Sequence, residues 1–259
     1  MAKTSCWPSI LVGLASTNSI FAPSRVRADQ TVPTRYFTPG LFAFLNDLKN
    51  NNDRSWFKAN QERYEAQVRQ PALDFITDYG PKLAKISPHF VADSRTVGGS
   101  LFRIQRDTRF SKDKTPYKIN TGLQFRHEMA SDAHAPGFYL HLEPGNCFMG
   151  CGLWRPESKV AYRIRARIDE HSADWKKASR AKRFSDVFTL EGDSLKRPPK
   201  GYDPEHALID DLKRKDFIAS AKLTQAEITS RHFMADFDQR LRRTVPLMRF
   251  LCSSLDIEF

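Results

Sequence analysis

Apolar positions change period twice along this chain. From 41 to 83 they recur at helical spacing. Leu41, Phe44, Leu45 and Leu48 form one stripe, and Phe57, Asn60, Tyr64 and Val68, with Trp56 beside them, form the inner face of another. Thr38-Pro39 reads as the start of the first helix, with Thr as N-cap and Pro at the first helical position. The polar run 50–53 breaks that helix, and Asp53 is placed to cap the next. Pro71 is expected to divide the second helix from a third, which ends before Pro88.

From Phe90 to Leu153 apolar residues alternate instead and glycines appear, the signal of antiparallel strands. The clearest predicted strands cover 119–128, 137–143 and 146–153, the last two joined by a tight turn at Glu143-Pro144-Gly145-Asn146. A short strand at Leu101 to Ile104 precedes them. Helical spacing returns at Pro156 with Val160, Ile164 and Ile168, and 195–207 is a proline-punctuated loop. Thr224-x-x-Glu227 is a capping box opening a C-terminal helix with Phe233, Phe237 and Leu241 inward, which Pro246 kinks or breaks. Helices, then strands, then helices predict an α+β fold: an antiparallel β-sheet in the middle of the chain, packed by N-terminal and C-terminal helices.

The alternation also sorts the strands into faces. Ile119, Thr121, Leu123, Phe125, His127, Phe138, Leu140, Leu142, Cys147, Met149, Cys151 and Leu153 belong to the apolar face. Gly122, Gln124, Arg126, Tyr139, His141, Gly150 and Gly152 fall on the other. Glycines leave room above a sheet, so this second face is either a pocket floor or an ordinary solvent face. A bulge at the Pro144-Gly145 turn would exchange the faces of the third strand. Imidazoles titrate near neutral pH, so His141 is the candidate for proton transfer, against the plainer role of a hydrogen-bonding residue. His127, His134 and His141 recur every seven residues but do not share a face, so no metal trio follows.

The chain has 259 residues, 40% of them apolar and 19 of them phenylalanine, enough for a substantial core. No apolar run reaches the length of a membrane span. Residues 36–259 are expected to form a single α+β domain, and 1–35 a flexible or signal-like extension. That extension has an early lysine, a short apolar run at 10–15, and Val26-Arg27-Ala28 as a small-residue cleavage site. The run is short for an export signal, so a cytoplasmic location is expected. Export is the alternative if residues 1–28 act as a signal. Four cysteines do not make a disulfide framework, and Cys147 and Cys151 lack the second pair a zinc site would want, so buried thiols are expected. No phosphate loop, dinucleotide fingerprint, nucleophile elbow or zinc-protease motif occurs, and the expectation is no cofactor and no metal.

The net charge of +11 is concentrated rather than spread. "RIQRDTRFSKDKTPYK" (103–118) sets Arg103, Arg106, Arg109, Lys112, Lys114 and Lys118 against Asp107 and Asp113, and 159–183 sets nine cations against three carboxylates. Arginine forks bind carboxylate or phosphate in bidentate fashion, and Asp107 can lock Arg106 or Arg109 in place. Tyr117 adds a phenolic hydroxyl and Lys114 a mobile point charge. The same residues can instead staple the loop to its own domain through internal ion pairs. In the second region, Arg163, Arg165 and Arg167 read as a solvated helix whose arginine stems cover the core edge. The denser run 175–183 can touch a phosphate backbone, but lacks interleaved aromatics.

Arg103-x-x-Arg106-Asp107-x-Arg109-Phe110 followed by Asp113-Lys114-x-Pro116-Tyr117 resembles the signature of the family called domain of unknown function 2461, found in bacteria and, inside longer chains, in fungi. "NNDRSWFKANQERYE", "APGFYLHLEPG" and "GLWRP" resemble it too, so the likeness runs from about Phe37 to the C-terminal helix. It implies an α+β domain and assigns no reaction.

Three functional readings follow. In the first, a small anionic ligand, phosphate- or carboxylate-bearing, is bound or modified in a glycine-floored pocket. Arg103, Arg106, Asp107, Arg109, Lys114, Arg126, Gln124 and Tyr139 would hold it, with His141 and Tyr117 as the catalytic candidates. In the second, a nucleic-acid module uses the basic loop together with 175–183. In the third, the protein is a structural or interaction protein whose motif is an internal ion-pair network. Oligomeric state is not encoded in any of these patterns.

Overall fold

The computed structural model describes residues 33–129 and 136–259. Residues 1–32, which carry Cys6 and the signal-like features, and His134 lie outside them.

Helix α1 (Pro39–Asn50) opens with Pro39 after an extended Thr38, which makes no side-chain cap. Asp53 does cap α2 (Arg54–Ala59), accepting from the N–H groups of Ser55 and Trp56. Helix α3 (Gln61–Tyr64), a π-helical segment (Glu65–Arg69) and α4 (Gln70–Ala84) then run on without a break. The predicted division at Pro71 is therefore not seen. Pro71 sits in the first turn of α4, just after the π segment, where the helical hydrogen-bond register shifts and a missing N–H is tolerated. Phe44, Phe57, Tyr64, Phe75 and Tyr79 lie on the inner side of this helical run, all buried.

Strands β1 (Phe90–Val91), β2 (Thr121–His127), β3 (Gly137–Leu142) and β4 (Cys147–Leu153) follow. Only Leu101 of the predicted strand at 101–104 pairs, as a single bridge to Leu123. Helices α5 (Ser158–Glu170), α6 (Ser172–Arg180) and α7 (Lys182–Ser185) lead to β5 (Thr189–Glu191). After α8 (Ile209–Leu212) comes β6 (Phe217–Leu223). The Thr224–Glu227 capping box forms, yet the helix it opens is only α9 (Gln225–Ile228). Phe233, Phe237 and Leu241 belong to a separate α10 (Phe233–Leu241), and Pro246 stands in the first turn of α11 (Val245–Ser253) after a 3-10 turn.

The result is an α+β fold. A six-stranded antiparallel sheet, ordered β1-β2-β3-β4-β6-β5, has helices before and after it in the chain. Two strands were not foreseen. β6, with Phe217, Ala219, Ala221 and Leu223 buried, adds to the free edge of β4, and β5 pairs with β6.

Register keeps the predicted faces intact. Leu123 faces Leu140 and Phe125 faces Phe138 across β2 and β3, while Leu140 faces Met149 across β3 and β4. The turn after β3 is tight, with the Asn146 N–H donating to the Glu143 carbonyl and Gly145 at φ 79°, so no residue is left over to shift β4. The apolar face carries the core: Phe125 packs on Tyr79 of α4 and Phe237 of α10. Cys147, Cys151 and Cys252 are free and buried, and burial pushes the Cys151 thiol up to about 12. No helix among the described residues is long and apolar enough to cross a membrane.

Helix α5 departs from the solvated reading in one residue. Arg165 is buried, its Nε donating to the Leu212 carbonyl (2.7 Å) and its Nη2 to the Arg214 carbonyl (2.6 Å). Trp175 is fully buried, and Arg180 pairs with buried Asp211 at 2.6 Å.

Candidate functional site

The polar face of the sheet holds a cavity of about 420 Å3. Because pleating sends alternate side chains to one side, residues of four neighbouring strands arrive there together: Gln124 from β2, Tyr139 and His141 from β3, Phe148, Gly150 and Gly152 from β4, and Ile218 and Ser220 from β6. Phe102 and Trp154 line it as well, and Glu191 adds a carboxylate from β5.

Tyr139, His141 and Glu143 form a hydrogen-bonded line along β3. The Tyr139 hydroxyl lies 3.0 Å from His141 Nδ1, and His141 Nε2 lies 3.1 Å from Glu143 Oε2. Asn120 Nδ2, a donor, also approaches Nδ1 at 3.4 Å, and Asn146 donates to the same Glu143 oxygen at 2.9 Å. A carboxylate on Nε2 and donors on Nδ1 assign the Nε2–H tautomer, leaving Nδ1 as the acceptor. The ring is held flat against Phe148, centroids 4.6 Å apart and planes 15° from parallel. Burial, reinforced by the Glu143 charge, pushes the Tyr139 phenol up to about 12, so it stays protonated and donates.

Gly122 explains how the Tyr139 hydroxyl fits. A β-carbon there would lie 2.5 Å from that oxygen, so a glycine opposite His141 leaves the space the phenol occupies. Gly152 has φ 115°, and its missing β-carbon lets the Phe217 carbonyl of β6 approach.

The basic loop closes on itself. Arg106 bonds the Asp113 carboxylate and the Thr115 hydroxyl. Arg109 grips Asp107 in bidentate fashion, Nε at 2.9 Å and Nη2 at 2.6 Å, and Lys114 donates to the Thr108 carbonyl at 2.8 Å. Hydrogen bonds from Arg109 to Asp107, and from the Thr115 N–H and Arg106 to Asp113, hold both carboxyls down at about 2. Tyr117 stacks on Phe57 at 4.1 Å, and its backbone exchanges two 3.0 Å hydrogen bonds with the Asn52 side chain. Arg103 is exposed at the loop's base, where its carbonyl accepts from Lys118.

Of the residues singled out in the sequence, Gln124, Tyr139 and His141 meet at the cavity. Arg103, Arg106, Asp107, Arg109, Lys114, Tyr117 and Arg126 are not among its lining residues, and only Phe102, just before the loop, reaches its wall. Arg126 instead donates to the Gly98 carbonyl at 2.7 Å. His127 is buried with Nε2 2.8 Å from the Glu258 carbonyl, a structural contact. Glu143 and Asn120 fall on the face of His141 by strand parity but were not among the candidate site residues. The β5 and β6 residues were not anticipated, and of these only the β6 alternation left a signal. Among the described residues, no group of three or more His, Cys, Asp or Glu side chains is arranged to hold a metal ion.

No curated protein matches this chain. The family model of the conserved hypothetical proteins DUF2461 matches residues 40–250, which takes in every helix from α2 to α10 and the whole sheet. The chain belongs to the DUF2461 family of conserved hypothetical proteins.

Proposed function

We propose that the domain binds a small, flat, largely apolar molecule in the cavity on the polar sheet face, and that His141 draws a proton from it through Tyr139. The observation that carries this reading is the Tyr139–His141–Glu143 line, in which Tyr139 and His141 line the cavity and Glu143 backs the imidazole. The Tyr139 hydroxyl gives its hydrogen to Nδ1, so its free lone pairs accept from a ligand O–H or N–H. As the ligand proton passes to the phenol oxygen, the phenol proton passes to Nδ1, and Glu143 stabilises the imidazolium that forms. The ligand leaves this step as an anion. Phe102, Phe148 and Trp154 supply the flat apolar walls that favour a ring, and about 420 Å3 suits a small organic molecule.

The test is a binding screen read by Trp154 fluorescence with phenols, N–H heterocycles, dicarboxylates and phosphorylated metabolites. It compares the native protein with Tyr139→Phe, His141→Ala and Arg106→Gln. Saturable binding of phenols or heterocycles that survives Arg106→Gln and weakens in the two cavity variants is expected. A ligand lost with Arg106→Gln and kept by His141→Ala would return the site to the basic loop.

A second reading concerns the loop alone. Its ion pairs are satisfied within 106–115, which favours the role of an internal brace over that of a ligand clamp. The nucleic-acid reading finds less support, since Trp175 is core and Arg180 is engaged by Asp211, leaving the 175–183 run fewer side chains to offer.

A further inference from the structure

We infer that a groove beside the start of α5, separate from the cavity above, is a binding site for a phosphate monoester or a comparable dianion. The groove has a volume of about 1030 Å3. Arg155, Arg165, Lys200 and Lys215 line it, against Asp193 and Asp216.

The two carboxylates do not neutralise those cations pair by pair. Asp216 is buried and turns its oxygens to the backbone, accepting from the Arg155 N–H at 2.7 Å and from the Asp193 N–H at 2.8 Å. Arg165 is buried too, and its two hydrogen bonds go to neutral carbonyls. Burial lowers its pKa, the direction of a cation that has lost water without gaining a counter-ion. A buried charge in that condition is costly, and an anion entering the groove relieves it. Four cations against two carboxylates leave an excess of two positive charges, which matches the roughly −1.5 to −2 of a phosphate monoester at neutral pH.

Arg155 gives an independent pointer. Its φ of 48° is the left-handed conformation that side chains other than glycine seldom adopt. The Asp216 contact to its N–H holds that backbone, and its guanidinium lies 4.7 Å from the centre of the Trp154 ring. Strain at a non-glycine residue persists where the surroundings enforce it, commonly at ligand clamps. Here it stands where the two sites adjoin: Trp154 lines the cavity, Arg155 lines the groove, and their side chains meet. Tyr162, 62% exposed and also in the lining, offers a ring face to the organic part of an ester.

The experiment titrates the full chain with phenyl phosphate and with inorganic phosphate at fixed ionic strength, following 31P line width and the thermal midpoint. The native protein is expected to bind both saturably. Lys200→Gln/Lys215→Gln should weaken binding by about 100-fold, about tenfold per charge-assisted contact. Lys176→Gln/Lys177→Gln removes the same charge from exposed positions of α6 outside the groove and should leave affinity unchanged, as should His141→Ala. Arg165 is left in place because its loss threatens the fold. Equal weakening by the two lysine pairs, or binding that never saturates, would overturn the proposal by reducing the effect to diffuse charge.

Discussion

The basic loop at 103–118 and the cavity on the polar sheet face treat their polar groups in opposite ways. The loop is dense in charge and mostly exposed, and three of its six cations are matched to acceptors a few residues away: Arg106 to Asp113, Arg109 to Asp107, Lys114 to the Thr108 carbonyl. The cavity has few ionisable groups, Tyr139 and His141 on β3 and Glu191 from β5, set among aromatic rings and glycines of neighbouring strands, and Tyr139 is pushed far from its ordinary titration by burial. Electrostatic interactions are screened in the first setting and amplified in the second. Charge density along a sequence therefore points to solvent-facing structure as readily as to a site. Convergence in a dry, concave place is the stronger sign of chemistry.

That contrast can be broken or sharpened by experiment. The largest effect is expected from Gly152→Ala. A β-carbon there would sit 2.0 Å from the Phe217 carbonyl oxygen, at φ 115°. The variant should lose roughly 3 kcal/mol or more of stability in urea unfolding, because β4 and β6 cannot then approach and the cavity loses a wall. A wild-type midpoint would mean that β6 is not held as described.

Asn52→Ala comes next. It strips both side-chain hydrogen bonds from the Tyr117 backbone, and should cost about 1–3 kcal/mol while leaving ligand binding in the cavity intact. If binding fell along with stability, the two regions would be coupled and the contrast would fail. Tyr139→Phe removes the hydroxyl bonded to His141 Nδ1, which should lower stability by about 1 kcal/mol. Its mark should be confined to the cavity, seen as shifts of the His141 ring signals with the loop amides unmoved.

The smallest effect is acidification of the loop. Asp107 and Asp113 are held below the usual carboxylate range, so they bind protons more weakly folded than unfolded. Their contribution is fully present above the ordinary value of 3.8 and is lost as pH falls toward about 2. Amide spectra should show residues 106–115 loosening across that window while β2 to β4 stay ordered. Both carboxylates are solvent-exposed, so the change in global stability should be slight. Loop amides that hold their positions down to pH 2 would show that the ion pairs do not brace it.

Much of the sheet could be read from residue order alone. Alternation is a property of the pleat itself, so Phe138, Leu140 and Leu142 were separable from Tyr139 and His141 without any partner strand. The four-residue turn at 143–146 then carried that parity into β4. The Asp53 cap and the Thr224–Glu227 box are likewise local, made within one helical turn. Where a local signal competed with distant packing it misled. Pro71 looked like a break, but it falls in the first turn of α4 after the π segment, where its missing N–H is tolerated, and Phe75 and Tyr79 beyond it pack on Phe237.

The site itself needed the folded chain. Ile218, Ser220 and Glu191 reach the cavity because β6 pairs with β4 across 64 or more residues of sequence (Leu153 opposite Phe217), and no local period encodes which edge a returning strand will choose. Whether Arg106 meets Asp113 or a ligand depended on how the loop folded back, and whether Arg165 met water or two carbonyls depended on where α8 docked. Sequence alone determined the α+β order of the elements and the faces of β2 to β4, since sterics act between neighbours. Tertiary structure decided which polar groups are paired, buried or convergent, because those properties belong to contacts between segments that only folding brings together.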